Sequence, residues 1–324
     1  MDLKALLGRE RPVMLAPMEE ITDSVFRKIC RRHGADAVFT EFISSEALVR
    51  GVEKSKVKYL FHENERPICI QIFGHDPDNM AEAAKMAEEQ NPEIIDLNFG
   101  CPVKKVVTKG GGAALLKDVD RMIAITEAVV RAVNVPVSAK TRLGWDKNSI
   151  NIEEVALRLK DAGIAMLTLH GRTRSQLYGG KADWKLIGKL AENPAFRIPL
   201  IGNGDIDSAE AAAEMYRKHK VDGIMIGRAA MGYPWIFSEV KEYLETGIMP
   251  PQPSIDERID VCREHLLYGV EQKGEERGVF EMRKFYRNYF KGIKNFKPFR
   301  IRLFEAVSLQ QVEDILSEIQ SELA

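Results

Sequence analysis

Eight short runs of apolar and β-branched residues, most of them followed by a segment with apolar residues at helical spacing, constrain this chain more than any other feature. The runs are Val13-Met14-Leu15-Ala16, Ala37-Val38-Phe39-Thr40, Ile68-Cys69-Ile70-Gln71-Ile72 and Ile94-Ile95-Asp96-Leu97-Asn98. They continue with Val137-Ser138-Ala139-Lys140, Met166-Leu167-Thr168-Leu169-His170, Leu200-Ile201-Gly202 and Gly223-Ile224-Met225-Ile226-Gly227. Continuous apolar runs of this kind suit strands covered on both faces, as in a parallel sheet. Between them, Pro77 to Gln90, Asp118 to Val133, Ile152 to Ala162 and Ser208 to His219 carry the helical pattern. Asp76-Pro77 and Asp207-Ser208 read as helix starts, and His33-Gly34 as a stop. Eight β–α units in roughly 240 residues is the arithmetic of a (β/α)8 TIM barrel. A doubly wound sheet is the competitor, but it usually opens with a Gly-rich turn, which this chain lacks.

Pro250-Pro251-Gln252-Pro253 then interrupts the pattern, because proline continues neither a helix nor a ladder. The expected organisation is α/β: a catalytic barrel over 1–249 and a small all-α domain over 250–324. Helical patterns in the second part run over Ile255 to Gln272, Phe280 to Ile293 and Leu309 to Leu323.

Hydrophobic residues make up 45%, and 47 Lys+Arg oppose 48 Asp+Glu, which excludes collagen-like and disordered classes. No apolar run reaches the ~18 residues of a membrane helix, and Met1-Asp2-Leu3-Lys4 leads into no signal-peptide core. The four cysteines form no C-x-x-C pair, so no metal site is expected. Reduced thiols and a cytoplasmic location follow as expectations.

In a barrel of this type, chemistry gathers where the strands end. The residues there are Ala16-Pro17-Met18, Glu41, Gln71, Asn98 with Gly100-Cys101-Pro102, Lys140 with Arg142, His170 with Arg172, Asn203-Gly204-Asp205, and Gly227-Arg228. Each alone has a bland explanation, such as a strand cap, a satisfied core histidine or a turn. Together they converge on one mouth. The last two strand ends form the usual phosphate corner of such barrels, where Gly204 and Gly227 let backbone N–H groups approach an anion and Arg228 can grip it in two places. Asp205 beside a phosphate would be repulsive, so it is expected to accept from hydroxyls, which favours a phosphorylated, hydroxylated cofactor. Lys140 suits either a Schiff-base nucleophile or a cation facing developing negative charge. With Gln71, it fits the pyrimidine edge of an isoalloxazine ring.

Cys101, between Gly100 and Pro102, is excluded from regular structure and placed on the functional face, unlike Cys30, Cys69 and Cys262, which read as core. Lys109-Gly110-Gly111-Gly112 is flexible enough to act as a lid. An ordinary thiol is mostly protonated at neutral pH, whereas Lys140, Arg142 and Arg172 would push towards thiolate. The sequence leaves that tension open.

Leu15-Ala16-Pro17-Met18, Ile21-Thr22-Asp23, Asp96-Leu97-Asn98-Phe99-Gly100-Cys101-Pro102, Leu169-His170-Gly171-Arg172-Thr173, Asn203-Gly204-Asp205-Ile206 and Met225-Ile226-Gly227-Arg228-Ala229 together resemble bacterial tRNA-dihydrouridine synthases, nearest their B-type branch. The resemblance spans essentially the whole chain. Glu20, where many relatives carry Gly, and Gly112-Ala113, where Gly-Ser is common, depart from it. It implies an FMN-dependent oxidoreductase that reduces the 5,6 double bond of D-loop uridines in tRNA, driven by NADPH or NADH, with hydride passing to carbon 6 and Cys101 protonating carbon 5. It assigns Ala16, Pro17, Met18, Gln71, Lys140, His170, Asn203, Gly204, Asp205, Gly227 and Arg228 to FMN, and Asn98, Arg142 and Arg172 to the substrate.

From Arg277 to Arg302 there are nine Lys/Arg against one acid, Glu281, so this stretch is +8 on a chain of net charge -1. Such a stripe reads as an electrostatic footprint for phosphates, with Arg283, Lys284, Arg287 and Lys291 as expected tRNA contacts. A monomer is expected. A flavin barrel acting on a free pyrimidine, and a non-redox RNA-binding protein, are the alternatives.

Overall fold

The computed structural model describes residues 5, 6 and 9–323. Met1 to Lys4, read above as free of a signal-peptide core, lie outside the described residues. Nine parallel strands form one sheet: β1 (Val13–Leu15), β2 (Val38–Phe39), β3 (Ile43–Ser44), β4 (Ile68–Phe73), β5 (Ile94–Asn98), β6 (Val137–Arg142), β7 (Met166–His170), β8 (Leu200–Asn203) and β9 (Gly223–Ile226). β2 and β3 both pair with β4, at Val38↔Ile68 and Ile43↔Ile72. They are therefore two pieces of one stave, so the barrel has eight. It closes where Leu15 N–H donates to Ala37 (3.0 Å) and Asp36 N–H to Val13 (2.9 Å). The expected (β/α)8 barrel is present.

The helices start where the sequence placed their caps. Asp76 accepts from the Asn79 N–H ahead of Pro77–Glu88, with Pro77 in the first turn where no N–H is needed. Ser208 accepts from the Ala211 N–H ahead of Ala209–His219. Met14, Phe39, Cys69, Met166 and Met225 fill the barrel below the mouth, and the large outer core lies between strands and helices. Burying each such side chain is worth about 1.5–3 kcal/mol.

The structure departs from expectation in three places. β4 runs one residue beyond its apolar run, to Phe73, and β6 two, to Arg142, so Gln71 and Lys140 lie inside strands rather than at their ends. Helices such as Trp184–Ala191 and Ile236–Thr246 were not foreseen. The C-terminal part has four helices, Ile255–Lys273, Glu275–Tyr289, Lys297–Glu305 and Leu309–Leu323, rather than three. These dock on the helix Ser24–Arg32: Phe26 stacks on His265 with ring centroids 5.5 Å apart and lies 5.2 Å from Phe285. Lys273 pairs with Asp23 of the barrel and with Glu281. No helix among the described residues is long and apolar enough to cross a membrane.

Candidate active site

A cavity of about 710 Å³ opens at the C-terminal ends of the strands. Of the residues anticipated from sequence, Ala16, Pro17, Met18, Asn98, Cys101, Lys140, Arg142, His170, Asn203, Gly204, Asp205, Gly227 and Arg228 line it. Register accounts for their convergence. Asn98 pairs with Lys140, and Arg142, His170 and Asn203 are cross-strand neighbours on β6, β7 and β8. A second hollow of about 590 Å³, between the Ser24–Arg32 helix and Ile255–Lys273, is lined mainly by charged and polar groups such as Lys28 and Glu271 and holds none of the anticipated residues.

Gln71 and Arg172 do not line the cavity. Gln71 is fully buried, its Nε2 donating to Asp96 (2.6 Å) and its Oε1 accepting from Asn98 Nδ2 (2.8 Å). Arg172 donates to the Gly179 and Gly180 carbonyls and to Asp205 Oδ2 (2.7 Å). Instead of facing a ligand directly, it braces the 179–180 loop against Asp205. Asp205, at φ +55°, also accepts from the Ala182 N–H (2.8 Å) and from Arg228 (3.3 Å). Burial alone would raise its carboxyl, but the Ala182 N–H and Arg172 outweigh burial and hold it below the usual range.

Cys101 is 7% exposed. Its N–H donates to Asn98 Oδ1 (2.8 Å), its carbonyl accepts from Ala113 N–H (3.1 Å), and the Gly100 carbonyl before it accepts from Arg142 Nε (2.8 Å). Burial pushes the thiol up from its ordinary value, and that outweighs the Val103 N–H, Arg142 and Lys140. The tension left by the sequence resolves towards the thiol. In the Gly-rich stretch expected as a lid, Gly111 and Gly112 are buried, and Gly112 packs against the Cys101 loop. Gly112 has φ +57°, and a Cβ there would lie 2.9 Å from the Cys101 carbonyl oxygen.

Lys140 is pushed down to about 8 by burial and by Arg142, with Asp96 pulling the other way. Burial lowers Arg142 to about 10. His170 is driven well below its usual value by burial and by Lys140, Arg142, Arg172 and Arg228, so its imidazole is neutral. Its Nδ1 and Arg172 Nη1 are buried with no partner among the described residues. Buried polar atoms are normally paired, so the orphan on His170, which lines the cavity, marks where a ligand's polar group belongs. Gly227 also lines the cavity, and without a Cβ its backbone can be approached closely. The residues present therefore fit a phosphorylated, hydroxylated group.

The sequence missed Tyr178, which lines the cavity between two guanidinium groups, Arg142 at 5.9 Å and Arg228 at 5.1 Å from its ring centroid. A lone aromatic in the polar 172–181 segment was the available signal. It also missed Asp96, a fully buried carboxylate raised to about 6 by burial. Glu20 stands at φ +60°, a conformation natural to glycine, so the position keeps a glycine-type backbone although it carries Glu.

Among the expected tRNA contacts, Arg287 and Lys291 are exposed, without an ion pair among the described residues. Arg283 and Lys284 turn inward. Arg283 donates to the Ala306 carbonyl (2.9 Å), and Lys284 to the Glu20 carbonyl (3.1 Å) and carboxylate (3.3 Å). Among the described residues no group of three or more His, Cys, Asp or Glu is placed to hold a metal ion.

Comparison with known proteins bears on this site. A probable tRNA-dihydrouridine synthase of Rickettsia bellii is 42% identical over 289 residues, covering 89% of this chain and 88% of its own. The tRNA-dihydrouridine synthase B of Pseudomonas aeruginosa is 42% identical over 288 residues, covering 89% and 86%. Among solved structures, histamine dehydrogenase from Rhizobium sp. 4-9 superposes with a TM-score of 0.50 at 14% identity, over 74% of this chain and 45% of that one, a likeness of fold alone. The family described as Dihydrouridine synthase (Dus) matches residues 14–324, so the chain belongs to the dihydrouridine synthase family.

Proposed function

We propose that this oxidoreductase is an FMN-dependent tRNA-dihydrouridine synthase that reduces the 5,6 double bond of D-loop uridines, with Cys101 as the proton donor. The observation that carries the reading is a burial-raised thiol on the wall of a cavity of about 710 Å³ whose opposite residues suit a flavin phosphate. The chemistry that FMN supplies when bound, and reduced by NADPH or NADH, is hydride delivery to carbon 6 of a uracil ring. Everything else is done by the chain. Ala16, Pro17, Met18, His170, Asn203, Gly204, Gly227 and Arg228 would hold the cofactor, and Asp205 keeps Arg228 oriented. Lys140 places an ammonium beside the ring edge that becomes negative on reduction. Gln71 supports this set through Asn98. Cys101 gives its proton to carbon 5, and Asn98 and Arg142 orient the uracil and its sugar-phosphate. Family membership favours this over the Schiff-base use of Lys140.

The base must leave its stack to reach the cavity, at a cost of a few kcal/mol that is least in an unpaired loop. The barrel over 1–249 is the catalytic domain, and the helical 250–324 domain presents Arg287 and Lys291 to tRNA. The decisive experiment purifies the protein and assays NADPH-driven dihydrouridine formation in tRNA. A yellow, FMN-containing protein is expected, and Cys101→Ala should lower uridine reduction by about 10²–10⁴-fold while retaining flavin. A colourless protein without FMN affinity, or undiminished reduction by Cys101→Ala, sinks the reading.

A further inference from the structure

We infer that Glu41, in the short gap between β2 and β3, is a positioning residue that selects the type of turn at one edge of the cavity. Pro17, Met18, Glu19 and Ile21 line that edge. Met18 to Ile21 form a β-turn, closed where the Ile21 N–H donates to the Met18 carbonyl (3.1 Å). Glu20 occupies its third position at φ +60°, whereas Glu19 before it keeps a negative φ. That combination is a type II turn, whose third position calls for glycine or asparagine. Glutamate there favours type I, in which the same residue has negative φ.

The two types differ by a flip of the peptide between Glu19 and Glu20, so most contacts of the turn do not choose between them. The closing bond is common to both. So are the bonds at its ends, from the Thr22 N–H to the Met18 carbonyl (3.0 Å) and from the Met18 N–H to Thr22 Oγ1 (2.9 Å). Lys58 pairs with the Glu19 side chain, which branches before the flipping peptide, and Lys284 donates to the Glu20 carbonyl (3.1 Å), which lies after it. Among the described residues the flipping peptide makes one hydrogen bond: the Glu20 N–H donates to Glu41 Oε1 (2.7 Å). In type I the Glu19 carbonyl would turn towards that carboxylate, oxygen against oxygen. A carboxylate only accepts, so Glu41 favours type II. Lys284 also reaches the Glu20 carboxylate, but at 3.3 Å and on a side chain that is 74% exposed, where an ion pair is worth little. Glu41 thus holds a glutamate in a conformation that glycine would take unaided.

What the turn serves rests on the function proposed above, in which Pro17 and Met18 hold FMN; the turn type itself does not. Glu41→Ala removes the acceptor, and Glu20 should relax to negative φ. In Glu41→Ala/Glu20→Gly the conflict is gone, so the type II turn should persist. Crystal structures of the cofactor-free variants read φ at position 20 directly. Titration of FMN into the cofactor-free proteins, followed by quenching of its fluorescence, reads the consequence. Binding should weaken about tenfold in Glu41→Ala, the factor expected when roughly a tenth of the molecules keep the competent turn, and return to within about twofold of wild type in the double variant. General damage to the wall would show no such rescue, because Glu20→Gly restores no contact. A positive φ at Glu20 in Glu41→Ala overturns the proposal, as does undiminished FMN affinity in that variant or a double variant that binds as weakly as the single one. If Glu41→Ala does not fold, the double variant decides: a type II turn with wild-type affinity upholds the role of Glu41, and loss of fold or of affinity refutes it. A wild-type protein that binds no FMN would sink the proposed function, and φ at position 20 would still decide the turn.

Discussion

Lys140 shows how a single side chain becomes a pH-dependent quantity. Burial and Arg142 bring its ammonium down to about 8, from an ordinary value of 10.5. Between those two values the unfolded chain holds more protons than the folded one, so stability rises with pH across that window. In cofactor-free protein, urea midpoints should therefore increase from about pH 8 towards pH 10, and Lys140→Met should flatten that rise. A slope unchanged in Lys140→Met would show that the ammonium is not the group responsible. An anionic ligand against Lys140 should move the window upward, because an opposite charge favours the protonated form. Cys101 carries the complementary lesson. Its residue type and its Gly-Cys-Pro setting were legible in the sequence, but whether it stands as thiol or thiolate was not. That depends on burial, which only the folded loop supplies.

At the level of elements, all eight staves were readable because both faces of each strand are covered and the runs are mostly apolar. The split of the second stave into β2 and β3 was not, since Ile43-Ser44 is too short to carry a pattern. The helix Lys297–Glu305 hid because Pro298 looks like a breaker; in the first turn it costs no hydrogen bond. Gln71 and Arg172 were found by type, yet their partners lie 25 and 33 residues away, at Asp96 and Asp205, and sequence spacing cannot say that these partners claim them first. The Gly-rich turn after Cys101 makes the same point. Its glycines read as freedom, and they serve close packing. Gly112→Ala would force a positive φ on alanine and a Cβ against the Cys101 carbonyl and Val106. The expected loss is about 1–3 kcal/mol, read as a lowered urea midpoint, with faster Cys101 alkylation because the loop is displaced. A neutral Gly112→Ala would mean the turn is mobile after all.

The whole molecule joins these parts through one apolar core that runs from the barrel helices into the C-terminal helices, with Phe26, His265 and Phe285 at the junction. The basic stripe is then not uniform. Lys284 and Arg283 are drawn into the fold, and Arg277 and Arg302 pair with Glu281 and Glu318. Arg287, Lys291, Lys294 and Lys297 remain exposed without ion pairs among the described residues. Only such free cations release counterions from phosphates on binding. If four of them reach tRNA, log affinity should fall with log salt at a slope of roughly -3 to -3.5. Arg287→Ala/Lys291→Ala should weaken tRNA binding and shallow that slope by roughly 1.5, while Lys284→Ala should leave it unchanged, because Lys284 is already spent on Glu20. Binding titrations across a salt series separate the two. A slope that responds to Lys284→Ala as strongly as to the double variant would place the RNA on the barrel side of the stripe, next to the Glu20 loop.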